Sequence, residues 1–182
     1  TRHRSLVQNM FSAKALDALA VVCQQLVDEL LDDVQKDSRA DLVEQFSMRF
    51  PVQVIGRVLG IPRAEYPRYQ KWALDLVGFS KDPPKGMAAS QALHTYLLPI
   101  IQAHRAAPTD DVISKLVTGT VDGVGLTDDE VVNFLRLLIP AGAKTTSRLI
   151  GSMLFALQVE RDRYERVRAD RSLVPWAIEE TL

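Results

Sequence analysis

Apolar residues recur at intervals of three and four along almost the whole chain, and stretches of strict alternation are nearly absent. A period near 3.6 places side chains three and four apart on one helix face, whereas a half-buried strand needs a period of two. The fold class expected is therefore all-α, or mostly α. With 182 residues, 47% of them hydrophobic, the chain has enough apolar material to bury one core. Ser12 is placed to cap a first helix running to about Lys36, with Leu16, Leu19, Val22, Cys23, Leu26, Leu30 and Val34 as its apolar stripe. That stripe predicts a buried Cys23. A second helix is expected from Asp41 to about Leu59, closed by Gly60 and Pro62, with Pro51 either kinking it or marking its first turn. A third runs from Arg63 to Phe79 and stops before Asp82, where Pro83 and Pro84 read as a loop. A fourth covers about Gly86 to Arg105 and a fifth Asp110 to Val117, after which Gly119, Gly123 and Gly125 make an open turn.

The next helix is the most informative. Thr127 with Glu130 three residues on forms a capping box, and helix-compatible sequence continues to about Gln158, roughly 48 Å at about 1.5 Å per residue. In its middle lies Pro140-Ala141-Gly142-Ala143-Lys144-Thr145-Thr146. Proline and glycine there weaken a helix by about 3 and about 1 kcal/mol relative to alanine. One account of that cost is a local opening of the hydrogen-bond ladder near Ala141 to Thr145, where a ligand comes close to the backbone. The other is packing alone: small residues permit a tight helix crossing, while Thr145 and Thr146 bond carbonyls one turn back. The residues by themselves leave both open.

Charge and composition narrow the partners. Twenty-two basic against 23 acidic residues leave a formal net charge of -1, too little to gather nucleic acid or an anionic membrane surface. No stretch has the roughly 18 uncharged apolar residues of a membrane span, and Thr1-Arg2-His3-Arg4 lacks the apolar run of a signal peptide, so a cytoplasmic location is expected. A single cysteine excludes an internal disulfide and a cysteine-rich zinc site. His3, His94 and His104 lack metal-ligand spacing, and Asp110-Asp111 and Asp128-Asp129 are expected at helix N-termini, where the dipole favours carboxylates.

Several segments, in order, resemble the cytochrome P450 superfamily. Leu126-Thr127-Asp128-Asp129-Glu130 and then Leu137-Leu138-Ile139-Pro140-Ala141-Gly142-Ala143-Lys144-Thr145-Thr146-Ser147 are similar to the family's central I helix, with its pattern Ala/Gly-Gly-x-acid-Thr-Thr/Ser. Thr1-Arg2-His3-Arg4-Ser5-Leu6-Val7 with Phe11 resembles the C helix and the turn after it. Arg168-Ala169-Asp170 and Leu173-Val174-Pro175 lead into Trp176-Ala177-Ile178-Glu179-Glu180-Thr181-Leu182, similar to the K helix with its Glu-x-x-Arg motif. The resemblance covers the whole chain and implies one partial cytochrome P450 domain over residues 1–182, an incomplete fold from the C helix to the K helix.

The resemblance implies a haem-dependent monooxygenase as the parent protein, supplied with electrons by a ferredoxin- or flavodoxin-type donor and acting on an apolar small molecule. Ala141 and Gly142 would lie over the distal haem face, Thr145 would supply the hydroxyl that handles dioxygen and its protons, and Arg4 would meet a haem propionate. Leu137, Leu138 and Ile139 are candidates to face substrate, with core packing as the alternative. The family's Asp or Glu is replaced by Lys144, which either takes part in the chemistry beside Thr145 or points to solvent or a carboxylate. Glu180 matches the structural glutamate of Glu-x-x-Arg, whose arginine falls one residue beyond Leu182. The haem-thiolate loop also falls beyond, and Cys23 on an early helix is no substitute. The chain as given is thus expected to bind haem weakly or not at all, to be inactive alone and to self-associate through exposed apolar surface. A non-catalytic helical module is the alternative reading.

Overall fold

The computed structural model describes residues 13–36, 38–121 and 123–182, the side chains of residues 13–16, 18 and 121 excepted. The helical expectation holds. Helix α1 spans Ala13–Val34, and a π-helical turn, Val43–Ser47, leads into α2, Arg49–Val58. A 3-10 turn, Arg63–Glu65, precedes α3, Tyr66–Val77, followed by α4, Pro83–Ala106, and α5, Val112–Thr118. A two-stranded antiparallel hairpin pairs β1, Thr120–Val121, with β2, Val124–Gly125. Then come α6, Asp128–Val159, α7, Arg161–Ala169, a 3-10 turn, Arg171–Leu173, and α8, Val174–Thr181.

Several expectations are corrected. Pro83 and Pro84 begin α4 rather than forming a loop, because the first helical positions need no backbone donor and the proline φ suits them. The Asp82 carboxylate caps the helix by accepting from Lys85 N–H at 3.1 Å. Pro51 sits in the first turn of α2, the second of its two expected placements, with the π turn absorbing the change of register just before it. Where an open turn was expected at Gly119, Gly123 and Gly125, Thr120 pairs with Gly125 and Val121 with Val124 in the short hairpin, and Gly123 takes φ +76. Cys23 is half-buried, since α1 is covered on one side only, at Leu26 and Leu30. Ser12, its expected cap, lies outside the described residues.

The core gathers around α6, which touches α2, α3, α4, α5, α7 and α8. Val131, Val132, Leu135, Ile139 and Ala143 of α6 are buried at helical spacing against Val52 of α2, Tyr69, Ala73 and Leu76 of α3, and Leu93, Leu97 and Ile101 of α4. Gly56 lets α2 and α3 close up, because a Cβ there would stand 2.8 Å from Tyr69 Cε1. The start of α6 is held by the Arg105 guanidinium, which donates to Asp128 at 2.6 Å and to the carbonyls of Val117 at 2.7 Å and Leu126 at 2.8 Å. The anticipated capping box is present, with Glu130 N–H donating to Thr127 Oγ1 at 3.2 Å and Thr127 N–H to Glu130 Oε2 at 2.8 Å. Among the described residues no helix is long and apolar enough to cross a membrane.

Candidate functional site

The buried positions of α6 lie on one side, and the other side stays open. Leu137, Ala141 and Thr145 recur at intervals of four and are all exposed, Leu137 by 66%. The same side continues through Arg148, Ser152, Phe155 and Val159, the last two 69% and 64% exposed. Between Leu137 and Val159 the helix itself contributes no carboxylate to it, and at Ser152 it borders the cavity that Glu180 lines. A long helix packed fully on one side and bare and largely apolar on the other presents a wall for a further layer or a ligand.

Within the motif the structure separates the two small residues. Ala141 is exposed on this wall, whereas Gly142 turns toward α2, and a Cβ there would come within 3.1 Å of Ile55 Cδ1. The smallness of Gly142 is thus accounted for by a helix crossing. Ala143, next to it, is buried at 2% exposure. The expected opening of the ladder near Ala141 to Thr145 is not there: α6 is continuous α-helix from Asp128 to Val159. Thr145 Oγ1 donates to Ala141 O at 2.9 Å and Thr146 Oγ1 to Gly142 O at 2.8 Å, so both hydroxyls settle on carbonyls one turn back without spreading the turn. Ladder geometry therefore lends no support to an oxygen-handling site, and what remains is the exposed hydroxyl of Thr145 beside a small Ala141. With its proton on Ala141 O, that hydroxyl offers lone pairs outward as an acceptor, and it becomes a donor by rotating off the carbonyl.

The other expected residues divide. Leu137 reaches the open face, but Leu138 is half-buried against the core and Ile139 is buried within it. Lys144 is half-buried and has no ion pair or side-chain hydrogen bond among the described residues. Glu180 is exposed and stands 3.3 Å from Arg163 Nη1 of α7, which also holds Glu160 at 2.6 Å. Arg4, His3 and the segment resembling the C helix lie outside the described residues. His94 lies beside Asp129 at 3.2 Å and His104 beside Asp111 and Ser114 at 3.0 Å. The described residues contain no group of three or more His, Cys, Asp or Glu able to hold a metal. Burial raises the Cys23 thiol above its ordinary pKa, opposite to what a thiolate ligand needs.

Two features were missed from the sequence. A cavity of about 550 Å³ opens between α6, α7 and α8, lined by Met153, Leu157, Val167, Leu173, Trp176 and Glu180. A shallow groove of about 850 Å³ runs between α3 and α4, where the Arg68 guanidinium lies 4.6 Å from the Trp72 ring and Trp72 tilts against Tyr96 at 5.7 Å. Each is lined from separate helices, and the only local signal was the spacing of Arg68 and Trp72 on one face.

Comparison with known proteins agrees with this geometry. No family model matches the chain. Cytochrome P450 107B1 of Saccharopolyspora erythraea is 35% identical over 182 residues, covering 100% of this chain and 45% of its own length. The cyclomarin C epoxidase CymV of Salinispora arenicola is 38% identical over 186 residues, covering 98% of this chain and 47% of its own. The crystal structure of CYP109E1 from Bacillus megaterium in complex with testosterone superposes with a TM-score of 0.89 at 35% identity, covering 99% of this chain and 50% of that one. The chain belongs to the cytochrome P450 superfamily. It spans about half the length of the curated relatives it matches.

Proposed function

We propose that the whole protein is a haem-dependent monooxygenase that inserts one atom of dioxygen into a C–H bond of an apolar small molecule and reduces the other to water. The two electrons come from a ferredoxin- or flavodoxin-type donor and the two protons from solvent. Residues 1–182 form one partial domain of it, from the C helix to the K helix, in a cytoplasmic protein. The supporting observation is that Ala141 and Thr145, at the motif positions, share the exposed face of α6 with Leu137.

That face fits a flat, largely apolar macrocycle around Ala141: α6 contributes no carboxylate to it between Leu137 and Val159, and the small Ala141 stands there with the Thr145 hydroxyl one turn on. When bound, haem supplies the reductive activation of dioxygen. Ala141 would pack against the cofactor and leave room beside it, and Leu137 would form apolar wall toward the substrate. Thr145 holds a proton at its Oγ1 and releases it toward the open face when the bond to Ala141 O breaks. Arg4, outside the described residues, would meet a haem propionate as a charge-assisted pair. Glu180 belongs to the scaffold, through Arg163.

The test is Thr145→Ala against Thr145→Ser in the full-length protein, with peroxide and product both measured per electron pair consumed. Thr145→Ala should raise the peroxide share several-fold while Thr145→Ser keeps it near the parent value; equal coupling in all three removes Thr145 from this role. A second reading, a non-catalytic helical module, is favoured by Lys144 at the position of the family's acid. It predicts a full-length protein whose ferrous carbon monoxide complex lacks the strongly red-shifted band of thiolate-ligated iron.

A further inference from the structure

We draw no further inference here: the strongest candidate, the groove between α3 and α4 in which the Arg68 guanidinium lies over the Trp72 ring beside Tyr96, rests on an unpartnered apolar face, and nothing in the structure shows what covers it in the whole protein, of which this chain spans about half.

Discussion

Gly142→Ala separates packing from chemistry in the central motif. Alanine is favoured over glycine in a helix interior by about 1 kcal/mol. The new Cβ, however, would stand 3.1 Å from Ile55 Cδ1, inside the roughly 3.5–4.0 Å at which carbon atoms attract. The obstacle is a terminal methyl, so the strain belongs at the lower end of the about 1–3 kcal/mol typical of overpacking, and the two effects nearly cancel. In the Ile55→Val background the Cδ1 methyl is gone, at a cost of about 0.5–1.5 kcal/mol. The next contact of the added Cβ, 3.9 Å from Ile55 Cγ1, is ordinary. Gly142→Ala should then stabilise by about 1 kcal/mol, giving a coupling of about 1 kcal/mol between the two sites. Urea unfolding of the four proteins of the cycle, followed by far-UV circular dichroism, measures it. A coupling below about 0.3 kcal/mol would falsify the crossing as the reason for the glycine. In the full-length protein the same substitution should leave peroxide release unchanged, because Thr145 and Ala141 keep their bond on the other face.

Two further outcomes follow from the scaffold. Gly86→Ala should destabilise by about 1–3 kcal/mol in the same unfolding assay, since its Cβ would lie 2.6 Å from Phe79 Cδ2 and 2.9 Å from Phe79 Cα, and the backbone atom cannot swing aside. For Asp111, which caps α5, burial pushes the carboxyl up, but Ser114 N–H, the Thr109 hydroxyl and His104 together hold it below its ordinary pKa. Its contribution is therefore full above the unfolded value near 4 and is lost as pH falls below that; Asp111→Ala should cost about 1 kcal/mol at neutral pH and flatten the acid limb of the stability profile.

What the sequence made legible was periodic or local. The 3.6 period predicted α1, α3 and α4 to within a few residues, and the Thr127-Glu130 capping box placed the start of α6 correctly. The errors arose where one local signal has two readings. Consecutive prolines break a helix from inside but begin one at its first turn, and with Asp82 ahead of them to cap the Lys85 N–H the second reading prevails. The π turn at Val43–Ser47 had no signal of its own, because an extra residue in a helical turn leaves hydrophobic spacing almost unchanged. The hairpin had one, Asp122-Gly123, which the surrounding glycines obscured. For the site, the motif and its order were readable, but not which of Ala141 and Gly142 faces a neighbour. Projecting Val131, Leu135 and Ile139 forward by helical steps reaches Gly142 and Ala143 and leaves Ala141 outside.

That phase also sets how the unusual composition of α6 divides. Gly142 and Ala143 lie on the packed side, where the approach of α2 and the core limits side-chain size, so their smallness follows from neighbours already present. Leu137, Ala141, Lys144, Thr145 and Arg148 meet no such limit. A helix that needed only solubility on this side would carry mixed charge there. Instead it keeps leucine, phenylalanine and valine exposed, and carries two cations that have no ion pair among the described residues. Exposed apolar surface costs free energy in isolation, and a largely apolar neighbour relieves that cost. The chemistry of the missing contact is therefore written on the face of α6 that makes no contribution to the core.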